Sequence, residues 1–237
     1  MKSWPFLGVV VPTLDAAAGV PACLSSVRRW PGALDIVVVD GGSTDGTPDV
    51  AKALGARLMK SRRGRGVQLA AGAKAVRGDW LLFLHADTVL APGWEQEAHR
   101  FMIPAGQEQE ERAAAFRFAL DDPRPAARRV ERLVRWRCAA LKLPYGDQGM
   151  LLPRLFYERL GGYRSGLPLM EDVDLVRRIG RRRLVMLNSP ALTAAVRYRR
   201  DGYWRRPLRN LFCLALYFLG VPVTMIARLY PARAGKP

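Results

Sequence analysis

Apolar residues in this chain first appear as short unbroken runs: residues 7–11, Ile36-Val37-Val38-Val39 and Leu81-Leu82-Phe83-Leu84. Four or five apolar residues between polar flanks suit a strand buried on both faces. Between the runs the period changes. Val20, Cys23, Leu24 and Val27 recur at helical spacing and predict a helix over residues 19–30, stopped by Pro31-Gly32. The first strand is expected to close at Pro12, and the second spans 35–39. Thr47-Pro48 opens a helix that runs to Leu54, with proline where its missing N–H does no harm. A short third strand over 57–60, a basic loop over 62–66 and an Ala-rich helix over 67–76 lead to the central strand, 80–84. This β-α-β-α-β-α-β alternation predicts an α/β fold with a doubly wound, mostly parallel sheet.

The rhythm changes after Asp87. Pro92-Gly93-Trp94 opens a short helix, and residues 106–111 read as a polar loop. Residues 113–120 alternate like a half-buried strand, 128–143 read as a helix and 146–149 as a tight loop. A strand over 150–152, helices over 154–160 and 171–179, and a strand over 184–187 follow, with no internal repeat. The apolar stretch 208–230 is broken by Gly220, Pro222 and Arg228. Its uninterrupted part, 211–227, is at the short end of a membrane span, and an interfacial helix or helical hairpin fits its arginine and aromatic flanks at least as well. The plain alternative is a helix packed on the domain's own sheet. Residues 1–200 are therefore expected to form one domain and residues 201–237 a basic, apolar, membrane-associating segment.

The 237 residues suffice for one good core, and an apolar fraction of 49% speaks against wholesale disorder. Charge changes the picture more. From Arg177 onward fourteen basic residues face a single acid, Asp201, so most of the net charge of +17 lies in the last quarter. Such a block implies an anionic partner, and its apolar, aromatic neighbourhood favours a lipid surface over nucleic acid. Cys23, Cys138 and Cys213 lie far apart without metal-like spacing and read as free thiols of a reducing cytoplasm. Pro12 comes too early for the apolar core of a secretory signal. The expected location is the cytoplasm, peripheral on the inner face of the membrane.

Two buried strands end in a carboxylate, Asp40 and Asp87, at the sheet edge where open α/β sheets bind ligands. Asp40 precedes Gly41-Gly42, which lets a ligand approach closely, and can accept a hydrogen bond from a base or sugar. Ser43 and Asp45 read more simply as caps of the next helix. Asp87 suits a hard cation, Mg²⁺ or Mn²⁺, that also holds substrate phosphates. His85 shares its strand face and is a second, weaker candidate ligand that would favour Mn²⁺. Glu171, Asp172 and Asp174 begin a helix, where the dipole explains two of them and a general base the third.

The ordered set Pro12-Thr13-Leu14-Asp15, Val39-Asp40-Gly41-Gly42-Ser43-Thr44-Asp45-Gly46-Thr47, Arg65-Gly66, the stretch 79–87 and Glu171-Asp172 resembles the family 2 glycosyltransferases over residues 7–200. Gly-Arg-Gly-Val-Gln-Leu at 64–69 and Leu-His-Ala-Asp-Thr at 84–88 are most similar to its short bacterial members. The resemblance implies the GT-A fold and inverting transfer of a sugar from a nucleotide-sugar, commonly a UDP-sugar. It implies that Pro12, Leu14, Asp40 and Gly42 surround the nucleotide, with Arg65 near the diphosphate and Asp87 holding Mn²⁺ or Mg²⁺. It implies Asp172 as catalytic base, with Gly146, Asp147, Gln148 and Glu171 around the sugar or acceptor. His85 stands where the family's motif usually has its first Asp, and Asp15-Ala16 replaces Asn-Glu. The Gln-x-x-Arg-Trp motif of processive synthases is absent, with only Arg197-Tyr198 as an echo, which points to single-sugar transfer. The expected acceptor is an alcohol, with a lipid-linked one suggested by the tail.

Rival readings are weaker. A sugar-phosphate nucleotidyltransferase usually carries a Gly-rich basic loop after the first strand, and a dehydrogenase needs Gly-x-Gly-x-x-Gly there. The chain has Pro12-Thr13-Leu14-Asp15 instead. A non-catalytic basic binder on a degenerate transferase fold is the remaining alternative.

Overall fold

The protein is described by a computed structural model, which covers residues 3–103 and 111–229. Strands β1 (Leu7–Thr13), β2 (Leu34–Asp40), β3 (Arg57–Lys60) and β4 (Trp80–Phe83) are mutually parallel, with helices α1 (Val20–Val27), α2 (Thr47–Ala53) and α3 (Arg65–Ala75) as crossovers. Then come β5 (Thr88–Leu90), α4 (Trp94–Met102), β6 (Ala113–Asp121) and α5 (Pro125–Leu141). A 3-10 turn (Gly146–Gln148), β7 (Met150–Pro153), α6 (Arg154–Arg159), α7 (Glu171–Ile179) and β8 (Leu184–Ala194) follow. The chain closes with α8 (Val196–Asp201), α9 (Arg205–Phe218) and α10 (Val223–Arg228).

The eight strands lie in the order β3-β2-β1-β4-β7-β6-β8-β5. β7 runs antiparallel to β4 and β6, β5 antiparallel to β8, and β6 parallel to β8. Only residues 84–87 join β4 to β5, although these strands hold the fourth and eighth places. So short a link reaches at most about 18 Å, and four strand spacings are about 19 Å. The sheet therefore curls until β8 meets the end of β4, and the Ala194 N–H donates to the Asp87 carbonyl at 2.9 Å.

Successive strand residues feed opposite faces. Leu7, Val9, Val11, Ile36, Val38, Leu82 and Leu84 pack under α1 and α4. Val10, Val37, Val39, Leu81 and Phe83 pack under α3, α6 and α7, and Cys213, Leu214 and Ile226 of the tail join them. Both faces are covered, which explains the unbroken apolar runs. All three cysteines are free and buried.

Several boundaries differ from expectation. β1 continues through Pro12 to Thr13. Val10 bonds toward β4, so Pro12 faces that side too, and its missing N–H costs nothing because β4 has ended there. α1 stops at Val27, and Trp30 closes a turn onto the Val27 carbonyl ahead of Pro31. α3 begins at Arg65, so Arg65-Gly66 is helix rather than loop. β6 is buried on both faces, not half-buried, because α5 covers Phe118 and Leu120. β8 runs to Ala194 rather than Leu187, and β5 and α8 are additional. The expected loop over 106–111 lies outside the described residues except for Glu111. The tail is a helical hairpin bent at Gly220, and no helix among the described residues is long and apolar enough to cross a membrane.

Candidate active site

The C-terminal ends of β1 and β2 are tied together by their own loops. Asp40 is buried, and its Oδ1 accepts from Thr13 Oγ1 at 3.1 Å and from the Ser43 hydroxyl. Its Oδ2 accepts the N–H groups of Gly42 and Ser43 at 3.0 and 2.9 Å. Burial works against this charge, and the bonds from Ser43, Gly42 and Thr13 outweigh it, so the carboxyl sits below its ordinary range. The expected acceptor for a base N–H is thus engaged by its own turn, and a base would have to displace the Ser43 hydroxyl to reach it. Gly42 supplies the positive φ of 95° that this turn needs. Ser43 is no helix cap: its hydroxyl also accepts the Asp15 N–H at 2.9 Å. Asp45 does bond the Thr47 N–H, at 3.1 Å, and clasps the Ala17 N–H of the β1 loop at 3.0 Å. Pro12 and Leu14 are half-buried beside this clasp. Buried Gln68 fastens it from below, donating Nε2 to the carbonyls of Thr13 and Val39, both at 2.7 Å.

Beyond the end of β4, Arg65, Phe83, His85, Gly146, Tyr163, Glu171 and Asp172 line one small pocket. The helix starts of α3 and α7 meet there. A Cβ on Gly66 would lie 2.8 Å from the Arg164 carbonyl, so only glycine lets α3 approach this closely. Arg65 Nη1 stands 3.1 Å from Glu171 Oε1, and Glu171 is 2% exposed. Burial raises the Glu171 carboxyl, against the pull of Arg65, and Asp172 adds to the rise. Asp172 Oδ2 accepts the Gly146 N–H at 2.8 Å, which fixes the carboxylate against the 3-10 turn. Asp174 faces away and pairs with Arg178 and Arg164.

Asp87 pairs with Arg197 of α8 at 3.3 Å. Burial pushes its carboxyl up, but Arg197, His85 and Arg65 together hold it below the ordinary range. His85 Nε2 is buried without a protein partner, and burial, then Arg65, depresses the imidazole to about 3. It is a neutral ring at physiological pH. A Cβ on Gly146 would come 2.7 Å from that nitrogen, so glycine again permits the approach. Asp147 Oδ1 is likewise buried and unpartnered, and desolvation raises its carboxyl to about 6.

The structure thus gathers Arg65, His85, Glu171 and Asp172 around one pocket, with Asp87 and Asp147 within electrostatic reach, and leaves the Asp40 loop as a separate wall. Gln148 is a correction. It is 1% exposed, and its Oε1 accepts from Arg137 at 3.1 Å while Nε2 donates to the Phe116 carbonyl at 3.0 Å, so it braces the framework rather than a pocket. Tyr163, which lines the pocket, and Arg197, which pairs with Asp87, are not singled out as site residues in the sequence, nor is the bracing role of Gln68. Gln68 lies inside the quoted 64–69 motif, and Arg197 within the basic block.

The sequence model described as glycosyl transferase family 2 matches residues 8–104. Over those residues the chain is similar to that family. A stretch of 100 residues is 43% identical to the PGL/p-HBAD biosynthesis glycosyltransferases of Mycobacterium bovis and Mycobacterium tuberculosis. That match covers 36% of this chain and 37% of those proteins. Glucosyl-3-phosphoglycerate synthase of Mycobacterium tuberculosis, solved with Mn²⁺, UDP-glucose and phosphoglyceric acid, superposes with a TM-score of 0.61 at 21% identity. It covers 92% of this chain and 81% of that one. The mannosyltransferase PcManGT of Pyrobaculum calidifontis, solved with GDP-Man and Mn²⁺, gives 0.59 at 18% identity, covering 88% and 61%. These two likenesses show the fold alone, and it is the GT-A fold.

Proposed function

We propose that the protein transfers a single sugar from a nucleotide-sugar, most simply a UDP-sugar, to an acceptor hydroxyl with inversion. The observation that carries the reading is the convergence of Arg65, Glu171 and Asp172 on one pocket with Asp87 within electrostatic reach, three separate stretches of the chain meeting beyond the end of β4. Neighbours of this fold hold Mn²⁺ with UDP-glucose or GDP-Man, which supports the same class of donor here.

The donor set fits a divalent cation in a limited way. No three His, Cys, Asp or Glu side chains among the described residues form a cage. Asp87 and the unpartnered Nε2 of His85 would hold Mn²⁺ or Mg²⁺ only in company with substrate phosphates, the usual mode for such ions. When bound, the ion would neutralise charge on the departing diphosphate. The chain's own residues do the rest. Arg65 keeps its charge because Glu171, Asp172 and Asp87 outweigh the cost of burial, and it lies ready for a phosphate. Asp172, held by the Gly146 N–H, takes the proton of the acceptor hydroxyl as that oxygen attacks the anomeric carbon. The C1–O bond to the diphosphate breaks, and a nucleoside diphosphate leaves.

The acceptor is read as an alcohol presented from a lipid surface, and the buried free thiols fit a reducing, cytoplasmic setting. Thermal melting against UDP, GDP and other nucleoside diphosphates, with and without Mn²⁺, tests the donor site. A metal-dependent rise with one nucleotide supports it. A well-folded sample that responds to none removes it and favours the non-catalytic binder.

A further inference from the structure

The tail is amphipathic the wrong way round for a core helix. Along α9 and the two residues that flank it, Trp204, Leu208, Leu211, Phe212, Phe218 and Leu219 follow one another at intervals that trace a single stripe, and every one is at least half exposed, Leu219 by 79%. Cys213 and Leu214, on the opposite side, are the residues that α9 buries. Met225 of α10 is exposed as well, by 55%. A contiguous apolar face of this kind marks an interaction surface rather than scattered surface hydrophobes.

Its surroundings identify the partner. The one acid from Arg177 onward, Asp201, is consumed by Arg200 and Arg206 at 2.7 and 3.1 Å. At its start the stripe touches α5, where the Arg129 guanidinium lies 5.6 Å over the Trp204 ring. Arg132 and Arg135 continue that basic face of α5, and Trp136 beside them is 60% exposed. Aliphatic and aromatic groups ringed by arginines, with the acids neutralised, match the boundary between acyl chains and anionic headgroups.

We propose that the outward face of α9 and α10, with the adjoining basic face of α5, docks on an anionic lipid bilayer. α9 lies on the surface and does not span it. Its 14 residues measure about 21 Å, against a hydrocarbon core of about 30 Å. The docking face is rooted beside the candidate active site, since six-residue α8 carries Arg197 to Asp87 at one end and Asp201 to Arg206 at the other. This docking stands independently of the transfer reaction.

The test is co-sedimentation of the full chain with vesicles of phosphatidylcholine alone or mixed with phosphatidylglycerol, at low and high salt. The expected result is binding to the anionic vesicles that weakens with salt. Leu208→Glu with Phe212→Glu, and separately Arg129→Glu with Arg132→Glu, each weaken it by about tenfold or more, with melting temperature unchanged. All four side chains are at the surface, so the variants should fold, and a UDP and Mn²⁺ melting series on the same samples keeps the donor site under separate control. No binding by folded protein at low salt overturns the proposal while a retained nucleotide shift leaves the transferase reading standing. A dimer that Leu208→Glu with Phe212→Glu dissociates makes a second copy the occupant and overturns it. So does binding to duplex DNA that survives loss of the apolar stripe.

Discussion

The carboxylate of Asp87 stands 3.3 Å from the guanidinium of Arg197, so the residue best placed to hold a cation is already paired with an internal one. Arg197 leads the neighbours that keep Asp87 ionised despite its burial. In the proposed reaction a divalent ion arriving with a nucleotide diphosphate would therefore meet a charged ligand and a competitor together. For wild-type protein with Mn²⁺ and UDP at a hundred times Kd, linkage predicts about 2.7 kcal/mol of stabilisation. At this chain length that is about 5–10 °C in Tm. In Asp87→Ala the metal-dependent part falls below about 2 °C by the same conversion. Differential scanning fluorimetry with and without chelator checks it.

Replacing the competitor acts in the opposite direction. Arg197→Gln leaves Asp87 without its 3.3 Å partner. The Mn²⁺ concentration giving half the UDP-dependent shift is expected to fall by about tenfold, a gain of about 1.4 kcal/mol. With chelator present, UDP binds more weakly than to wild type, because a positive charge has left the neighbourhood of the diphosphate. Titration calorimetry of UDP with and without Mn²⁺ separates the two effects.

Asp147 offers a pH test. Burial raises its carboxyl from 3.8 to about 6, and Oδ1 lacks a protein partner. A carboxylate raised on folding binds more protons in the native state between those two values. Its cost to stability is therefore full above pH 6 and fades as the pH falls toward 4. Asp147→Asn removes that cost and should be more stable than wild type at pH 7.5 by about 1–2 kcal/mol, with Arg137 and Arg206 losing a favourable neighbour in partial offset. Near pH 4 the two proteins should be equal. Urea denaturation at both pH values decides, and an advantage that persists at low pH would sink the assignment.

How much of this was legible in the sequence depended on how local the physics is. β3 and α7 match the residue ranges read from apolar spacing and turn residues alone. Asp87 stands out locally as a polar residue after an apolar run, and Glu171 and Asp172 as acids at a helix start, whereas Arg65 is suggested only by the family resemblance. The strand expected over 184–187 continues through Asn188-Ser189-Pro190 to Ala194. There the pairing with β6 shifts register, and Glu97 of α4 accepts the N–H groups of Asn188 and Ser189 at 2.8 and 2.7 Å in place of a ladder partner. No local pattern announces a side chain from a distant helix that completes a strand. Arg197 was hidden for the same reason: its meaning comes from a carboxylate that only the curl of the sheet brings near. The pocket role of Gln148 is implied by the family resemblance alone, and only the fold shows Phe116 and Arg137 closing on it.

The Arg65–Glu171 pair should respond unequally to removal of either partner. Glu171 is 3% exposed in its side chain and Arg65 39%. Arg65→Ala strands a buried carboxylate, which is expected to cost about 2–3 kcal/mol at pH 7.5. Glu171→Ala leaves a guanidinium that water can reach, at about 1 kcal/mol. Losing Arg65 raises a Glu171 carboxyl that burial already holds high, so the penalty shrinks as acid protonates it. Chemical denaturation of both variants at pH 7.5 and 5 should show the larger loss, and the larger pH dependence, in Arg65→Ala.

Gly146 links the two halves of the proposed chemistry through its backbone. Its N–H holds Asp172 Oδ2 at 2.8 Å, and the space a Cβ would need is taken by His85 Nε2, only 2.7 Å from that position. Gly146→Ala must therefore move the imidazole or rotate the 3-10 turn, and either shift disturbs the carboxylate proposed to act as base. The pocket wall is half-exposed at this point, so the fold should absorb the methyl group with a loss of about 1 kcal/mol. Activity should fall by more than the folding loss implies, by about tenfold to a hundredfold in kcat, as expected when a reacting group is displaced by a fraction of an ångström. Comparing kcat, KM for the donor and Tm in one preparation checks the assignment. A variant with wild-type kcat would show that the Gly146–Asp172 bond positions nothing in the reaction.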